Sequence, residues 1–542
     1  MKLLRIFIYL LIISSLYGCA KDVAPSGGPK DTTPPNVVEA MPPNNSTNFN
    51  AKVISITFDE YITLKNVKSK LMISPPFKEE PEITNKGKKV IIKLKEELKP
   101  NVTYNFYFDD AIVDYNEGNP IKNFSYIFST GDFLDTLSFK GNIIDAYTLQ
   151  PVEDCIIALY ANLADSAFRT SVPYYITKTD KQGNFTFNYL QDTFYNIYAL
   201  KDLNNSRTFD LITESIAFTD SVLSIKDSMF VNLKLFTEAD TIQQIVDKKV
   251  LQLNEAQIVY KLPPTNPEIK FYNKIPEDYD IIFNKTKDTV KIRTKGADTL
   301  SVIAYDNSKV IDSLTVVVDS EKLRSKNVLT ILPSFATKQY YKTELYLNFN
   351  NPIDTMFVDS IRSIITVDTI VDTTYFKILF TDSLNLNVKI DCVPEPKTKY
   401  AFYLADSSLI DIYGLYNKDF SCVMTTLDED AFGGIIINIV VDDEHVGESF
   451  DVILDIVGKN NVAVESVSLH LMDSVQVKVP MLSPAEYSVR IVYDCDADGK
   501  WTTGDYRTKR QPERVEYPKK IAVKSKWEVE ETIKIGTPTI LR

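Results

Sequence analysis

Apolar and polar residues alternate one by one along much of the chain from Asn36 onward. Lys52-Val-Ile-Ser-Ile-Thr-Phe58, Lys89-Val-Ile-Ile-Lys-Leu94, Thr103-Tyr-Asn-Phe-Tyr-Phe108 and Phe124-Ser-Tyr-Ile-Phe-Ser-Thr130 are early runs of this kind. Successive side chains of a strand point to opposite faces, so a period of two predicts strands with one buried and one wet face. Pro, Asn and Gly punctuate the runs, and no long helical period intervenes. The pattern predicts an all-β chain of tandem β-sandwich domains. Ile242 to Leu253 is the exception and reads as a short helix or an irregular lead-in. A length of 542 residues suits four or five domains of roughly 100–150 residues each. The punctuation divides it into 36–132, 133–236, 237–327, 328–430 and 431–542, behind a leader (1–18) and a tether (19–35).

The leader has its own pattern. Lys2 and Arg5 precede an almost unbroken apolar run, Ile6 to Leu16, and Gly18-Cys19 follows, which is the layout of a secretory signal. The run falls short of the roughly 20 residues that a membrane-spanning helix needs. With Cys at the cleavage point, Leu16-Tyr17-Gly18-Cys19 resembles the lipobox of bacterial lipoproteins. That resemblance implies removal of residues 1–18 and a lipid on Cys19 that tethers the chain to a membrane. Ala20 to Pro35 is rich in Pro, Gly and Ser, a flexible or extended tether. Lys21-Asp22 resembles the short charged signal that sends Bacteroidota lipoproteins to the outer face of the outer membrane; the periplasmic face stays open.

Two further resemblances concern the modules. Pro34-Pro35-Asn-Val-Val-Glu-Ala-Met-Pro42, Thr57-Phe58-Asp59-Glu60, Leu98-Lys-Pro-Asn-Val-Thr-Tyr104 and Asp114-Tyr-Asn-Glu-Gly118-Asn119 resemble the bacterial Ig-like domain of S-layer and outer-surface proteins. Lys178-Thr179-Asp180-Lys-Gln-Gly183-Asn-Phe185 and Tyr195-Asn-Ile-Tyr-Ala-Leu-Lys-Asp202 resemble the transthyretin-like or carboxypeptidase-regulatory-like domain, whose relatives are usually structural or adhesive. Both patterns recur. Lys399 to Leu404, Asp411-Ile-Tyr-Gly414 and Phe420 to Thr426 restate the ending of the Ig-like segment, and Tyr487 to Asp494 restates Tyr195 to Asp202. The pair of modules therefore occurs twice, with 237–327 between the copies.

Charge and composition then narrow the function. A net charge of −13 argues against nucleic acid, which demands a basic patch. Cys155, Cys392, Cys422 and Cys495 lie far apart without a CxxC pair, so zinc is not expected. Cys392 and Cys422 share a module and could form a disulfide, with buried free thiols as the alternative. His445 and His470 stand outside any nucleophile motif, which disfavours hydrolases with a histidine base.

One segment carries candidate chemistry. Asp494-Cys-Asp496-Ala-Asp498-Gly499-Lys500-Trp-Thr-Thr-Gly-Asp505 places oxygens at alternate positions, as in a calcium loop, with the Lys500 carbonyl as a backbone ligand. Asp505 stands where that loop has Glu, and a strand precedes it. The plain alternative is a solvated acidic turn. The first copy of the loop, Asp202-Leu-Asn204-Asn205-Ser206-Arg207 with Asp210, has Arg in place of the Gly. Asp114 to Gly118 reads as a capped turn, and the acidic pairs Asp109-Asp110 and Asp442-Asp443 supply no cleft for glycosidase work.

A scattered Asp-Ser/Thr-apolar pattern includes Thr136, Ser166, Thr299, Thr369 and Ser474. It resembles the O-glycosylation sequon of exported Bacteroidota proteins, although a turn passing into a strand can look the same. The whole resembles an outer-membrane lipoprotein of the Ig-like domain-containing class, which implies no known catalytic activity. No cofactor is expected to be required; the acidic loop alone offers a place for a structural Ca2+. The expected function is a non-enzymatic adaptor docked to an outer-membrane β-barrel protein or complex; an adhesin or glycan-binding protein is the alternative.

Overall fold

The computed structural model describes residues 31–536 except 205, 226–228, 273, 285, 296 and 443–448. The leader, Cys19, Lys21-Asp22, Asn205, Asp443 and His445 lie outside the described residues. The chain is all-β, and the helices among the described residues are single turns such as Val67–Lys70, Ala167–Thr170 and Glu321–Arg324. It forms two compact units: residues up to Asp145 with Gln150–Leu235, and Ala146–Leu149 with the chain from Phe236 on.

The first unit opens with the sheet Val37–Met41, Val53–Phe58, Lys89–Lys93, Glu82–Lys86, which faces Met72–Ser74, Thr103–Tyr107, Ser125–Ser129. The strand Val53–Phe58 shows why the pattern folds this way: Ile54, Ile56 and Phe58 are buried, whereas Val53 is exposed. They join Tyr104, Phe106 and Phe128 in one apolar cluster. In the second half, Leu137–Asp145 pairs antiparallel with Asn184–Leu190 and parallel with Phe230–Thr237. The same sheet continues from Phe230–Thr237 through Ser215–Phe218, Phe194–Lys201 and Ile156–Tyr160 to Tyr175–Lys178, which form the second layer. Within this unit Thr103 Oγ1 accepts from Asp135 N at 2.9 Å, and Arg207 Nη2 donates to the Lys68 carbonyl at 2.8 Å.

The larger apolar clusters of the second unit, among the described residues, lie over residues 256–318, 329–424 and 435–535. Its last sandwich repeats the topology just described. Gly433–Val441 pairs antiparallel with Val475–Leu482 and parallel with Glu528–Ile535. The other sheet runs Ala463–Leu471, Phe450–Val457, Ala485–Asp494, Val515–Val523. The hydrogen bonds repeat too: Tyr195 Oη donates to the Gln191 carbonyl at 3.0 Å, and Tyr487 Oη to the Ser483 carbonyl at 2.8 Å. The Ig-like stretch has its own echo. Tyr104 Oη accepts from Lys99 N at 3.0 Å, and Tyr400 Oη from Glu395 N at 2.8 Å.

One expectation is corrected, and one open alternative is decided. Ile242–Leu253 is not helical: Ile245–Gln252 is a strand paired with Glu255–Tyr260. Register shifts at Ile245/Asp247 and Val250/Gln252 break the alternation that would have marked it. Cys392 and Cys422 are free thiols, half-buried against the 329–424 core. Burial pushes each thiol up to about 11.

Candidate functional site: a duplicated acidic loop

The strand Ala485–Asp494 ends in a loop that returns as Val515–Val523. Asp494 is the hub. Its Oδ1 accepts from Asp498 N at 3.1 Å and its Oδ2 from Gly499 N at 2.9 Å, which folds the loop back on the strand end. Gly499 takes a φ of 74°, the left-handed turn conformation that glycine adopts without steric cost. Glu513, before the returning strand, holds the loop from the other side. Its Oε1 accepts from Cys495 N at 2.6 Å and its Oε2 from Thr502 N at 2.8 Å.

Asp494, Asp496 and Glu513 thereby bring one carboxylate oxygen each to within 4.8 Å of one another. Asp494 and Glu513 are buried, and Asp496 is exposed with its Oδ2 accepting from Thr502 Oγ1 at 3.0 Å. Burial, with Asp496 and Asp494 alongside, pushes the Glu513 carboxyl above its usual range although two backbone amides oppose the shift. Three hard oxygens this close are of the kind that Ca2+ takes, and supply part of the roughly 6–8 oxygen ligands it binds.

The structure joins only part of the set expected from the sequence. Asp494 and Asp496 both lie in the cluster. Asp498 accepts from Lys500 N at 2.7 Å, an ordinary Asx turn. Asp505 caps a separate turn, accepting from Thr508 N at 2.8 Å, and pairs through its backbone with Arg510. Glu513, which lies beyond the motif, completes the cluster instead. The first copy held the signal for it: Glu214 is fully buried and accepts from Leu203 N at 3.0 Å, as Glu513 does from Cys495 N. There Asp202 accepts from Ser206 N at 3.2 Å and from Arg207 N at 2.9 Å. Arg207 has a φ of 59°, so it occupies the left-handed position that glycine holds in the second copy.

The remaining candidates fall at the surface. Thr136, Ser166, Thr299, Thr369 and Ser474 are all exposed. Asp114 caps its turn as expected, accepting from Gly118 N at 2.9 Å and Asn119 N at 2.7 Å.

Residues 31–130 match the family described as bacterial Ig-like domain, so the chain contains an Ig-like domain. Comparison with curated proteins yields no match. Among solved structures, the chain is similar to native alpha-2-macroglobulin of E. coli at 9% identity and TM-score 0.15, over 86% of this chain and 33% of that one. It thus spans about a third of that relative. Surface layer protein SbsC, domains 1–6, is similar at 11% identity and TM-score 0.14, over 86% of this chain and 66% of that one. BcpA, the major pilin subunit of Bacillus cereus, is similar at 9% identity and TM-score 0.15, over 74% of this chain and all of its own. None of the three bears on how this chain works.

Proposed function

We propose that the chain is a non-enzymatic structural or adaptor lipoprotein of a Bacteroidota outer membrane, anchored through Cys19, whose modules dock to an outer-membrane β-barrel protein or complex. The observation that carries this reading is the repetition of self-contained sandwiches, each with its own apolar core, behind a lipobox-like Cys19. Such modules act as spacers that present edges and loops. The strand Val37–Met41 is one such edge: among the described residues it pairs only with Val53–Phe58, and it exposes Val37, Val38 and Met41. A partner strand can add to an edge of this kind.

In this reading the stretches 133–236 and 431–542 are transthyretin-like modules, which fits their shared mixed-strand topology. Ca2+ is proposed as a structural ion at Asp494, Asp496 and Glu513. O-glycans are proposed at Thr136, Ser166, Thr299, Thr369 and Ser474, whose exposure admits a bulky group. One acyl chain anchors only marginally, so the lipid on Cys19 carries more than one.

Gentle affinity purification from solubilised outer membranes, followed by mass spectrometry, tests the docking. A stoichiometric β-barrel partner supports the adaptor. A protein that purifies alone turns the reading to the adhesin, and turnover that survives purification overturns the non-enzymatic reading.

A further inference from the structure

The second Ig-like stretch exposes the broad face of its sheet, and one row of residues crosses four strands on that face. Ser421 lies opposite Tyr403, Tyr403 opposite Arg362, and Arg362 opposite Tyr375. Neighbouring strands are about 4.8 Å apart, so the row is about 14 Å long. It runs along a groove of about 440 Å³ whose lining also includes Ser360 and Phe420. The Arg362 guanidinium sits 4.9 Å above the centre of the Tyr403 ring, and Tyr375 is 66% exposed.

Among the described residues, the Arg362 guanidinium and the hydroxyls of Ser360, Ser421, Tyr375 and Tyr403 have no side-chain hydrogen bond or ion pair. A guanidinium held over a ring can keep its N–H donors free, in the fork that matches a carboxylate. The two tyrosines offer a ring face to C–H groups and a hydroxyl to polar ones. Asp419 also lines the groove, with its Oδ1 accepting from Asp406 N at 2.9 Å; it makes no ion pair with Arg362, so the guanidinium stays open to an anion.

We propose that this groove binds an acidic oligosaccharide: uronate-type sugars, with a carboxylate on Arg362 and sugar rings against Tyr375 and Tyr403. A peptide is disfavoured because peptides add at strand edges through main-chain hydrogen bonds. Here the row lies on the face of the sheet, and its strands Ser360–Val367 and Lys399–Leu404 are paired on both sides. The inference stands apart from barrel docking and does not depend on it.

Calorimetric titration of the purified full chain with galacturonate, alginate and hyaluronan oligomers tests it. Binding of at least one is expected, with a loss of tenfold or more in Arg362→Gln and Tyr375→Ala, both at exposed strand positions. A methyl-esterified oligomer, which lacks the carboxylate, needs no variant and is expected not to bind. The proposal is overturned if no oligomer binds, if esterification or Arg362→Gln leaves affinity unchanged, or if poly-glutamate binds equally well.

Discussion

The buried ion pair of the last sandwich gives the sharpest test of the duplication. Asp455 and Arg490 face each other on paired strands, with side chains 5% and 4% exposed. Arg490 Nε donates to Asp455 Oδ2 at 2.8 Å, and Asp455 Oδ1 accepts from Ser466 Oγ. In the first copy the matching pair is Ala158 opposite Tyr198, and Tyr198 stacks on Phe168 with ring centres 4.4 Å apart. One fold position is thus filled by an ion pair in one copy and by an aromatic in the other. Arg490→Met strands a buried carboxylate, an expected cost of about 3–5 kcal/mol. Asp455→Ala with Arg490→Tyr imports the first copy's solution and is expected to recover all but about 1 kcal/mol, because apolar replacement of a buried pair is often neutral. Both tryptophans of the chain, Trp501 and Trp527, lie in this sandwich, so their fluorescence during urea unfolding follows it selectively. A single variant that costs under about 1 kcal/mol, or a double variant as unstable as the single one, would refute the reasoning.

Three further expectations concern the loop, a packing constraint and the surface. Because Glu513 is raised by burial and by Asp496 and Asp494, its proton is held more tightly in the folded chain than in the unfolded one. Its contribution to stability is therefore full below the unfolded value of about 4.3 and falls as pH rises through the folded one. Ca2+ should cancel that fall in EDTA-treated protein, and Asp496→Asn should abolish the calcium-induced rise in Tm; an equal rise in the variant removes the cluster as the site. A Cβ on Gly141 would collide with the Val231 carbonyl and the Phe185 ring, so Gly141→Ala is expected to cost about 2 kcal/mol or more in a denaturant melt. Thr369→Val should remove one glycan mass from the native chain by intact mass spectrometry, and an unchanged mass excludes that site.

The parts of the fold that were legible are those with one wet face. Val53–Phe58 alternates because its two sides meet core and water. Ile156–Tyr160 is buried along its whole length, so its residues form a continuous apolar run with no period to read. The bulged strand Ile245–Gln252 was hidden for the opposite reason, since its shifts scramble a period that is present. At the acidic loop, spacing identified Asp494 and Asp496 because local turns bring alternate residues together. Glu513 arrives from the far end of the loop, and a contact between distant residues leaves no local spacing. The groove on Arg362 was likewise invisible, because its row is written across four separate strands.

The central claim is a chain of sandwiches held at a membrane by one lipidated residue, and fractionation of cells carrying Cys19→Ser tests it most directly. The unaltered chain should sediment with the outer membrane and resist an alkaline wash, while the variant should appear in the soluble fraction. A variant that stays in the washed membrane pellet would contradict the account.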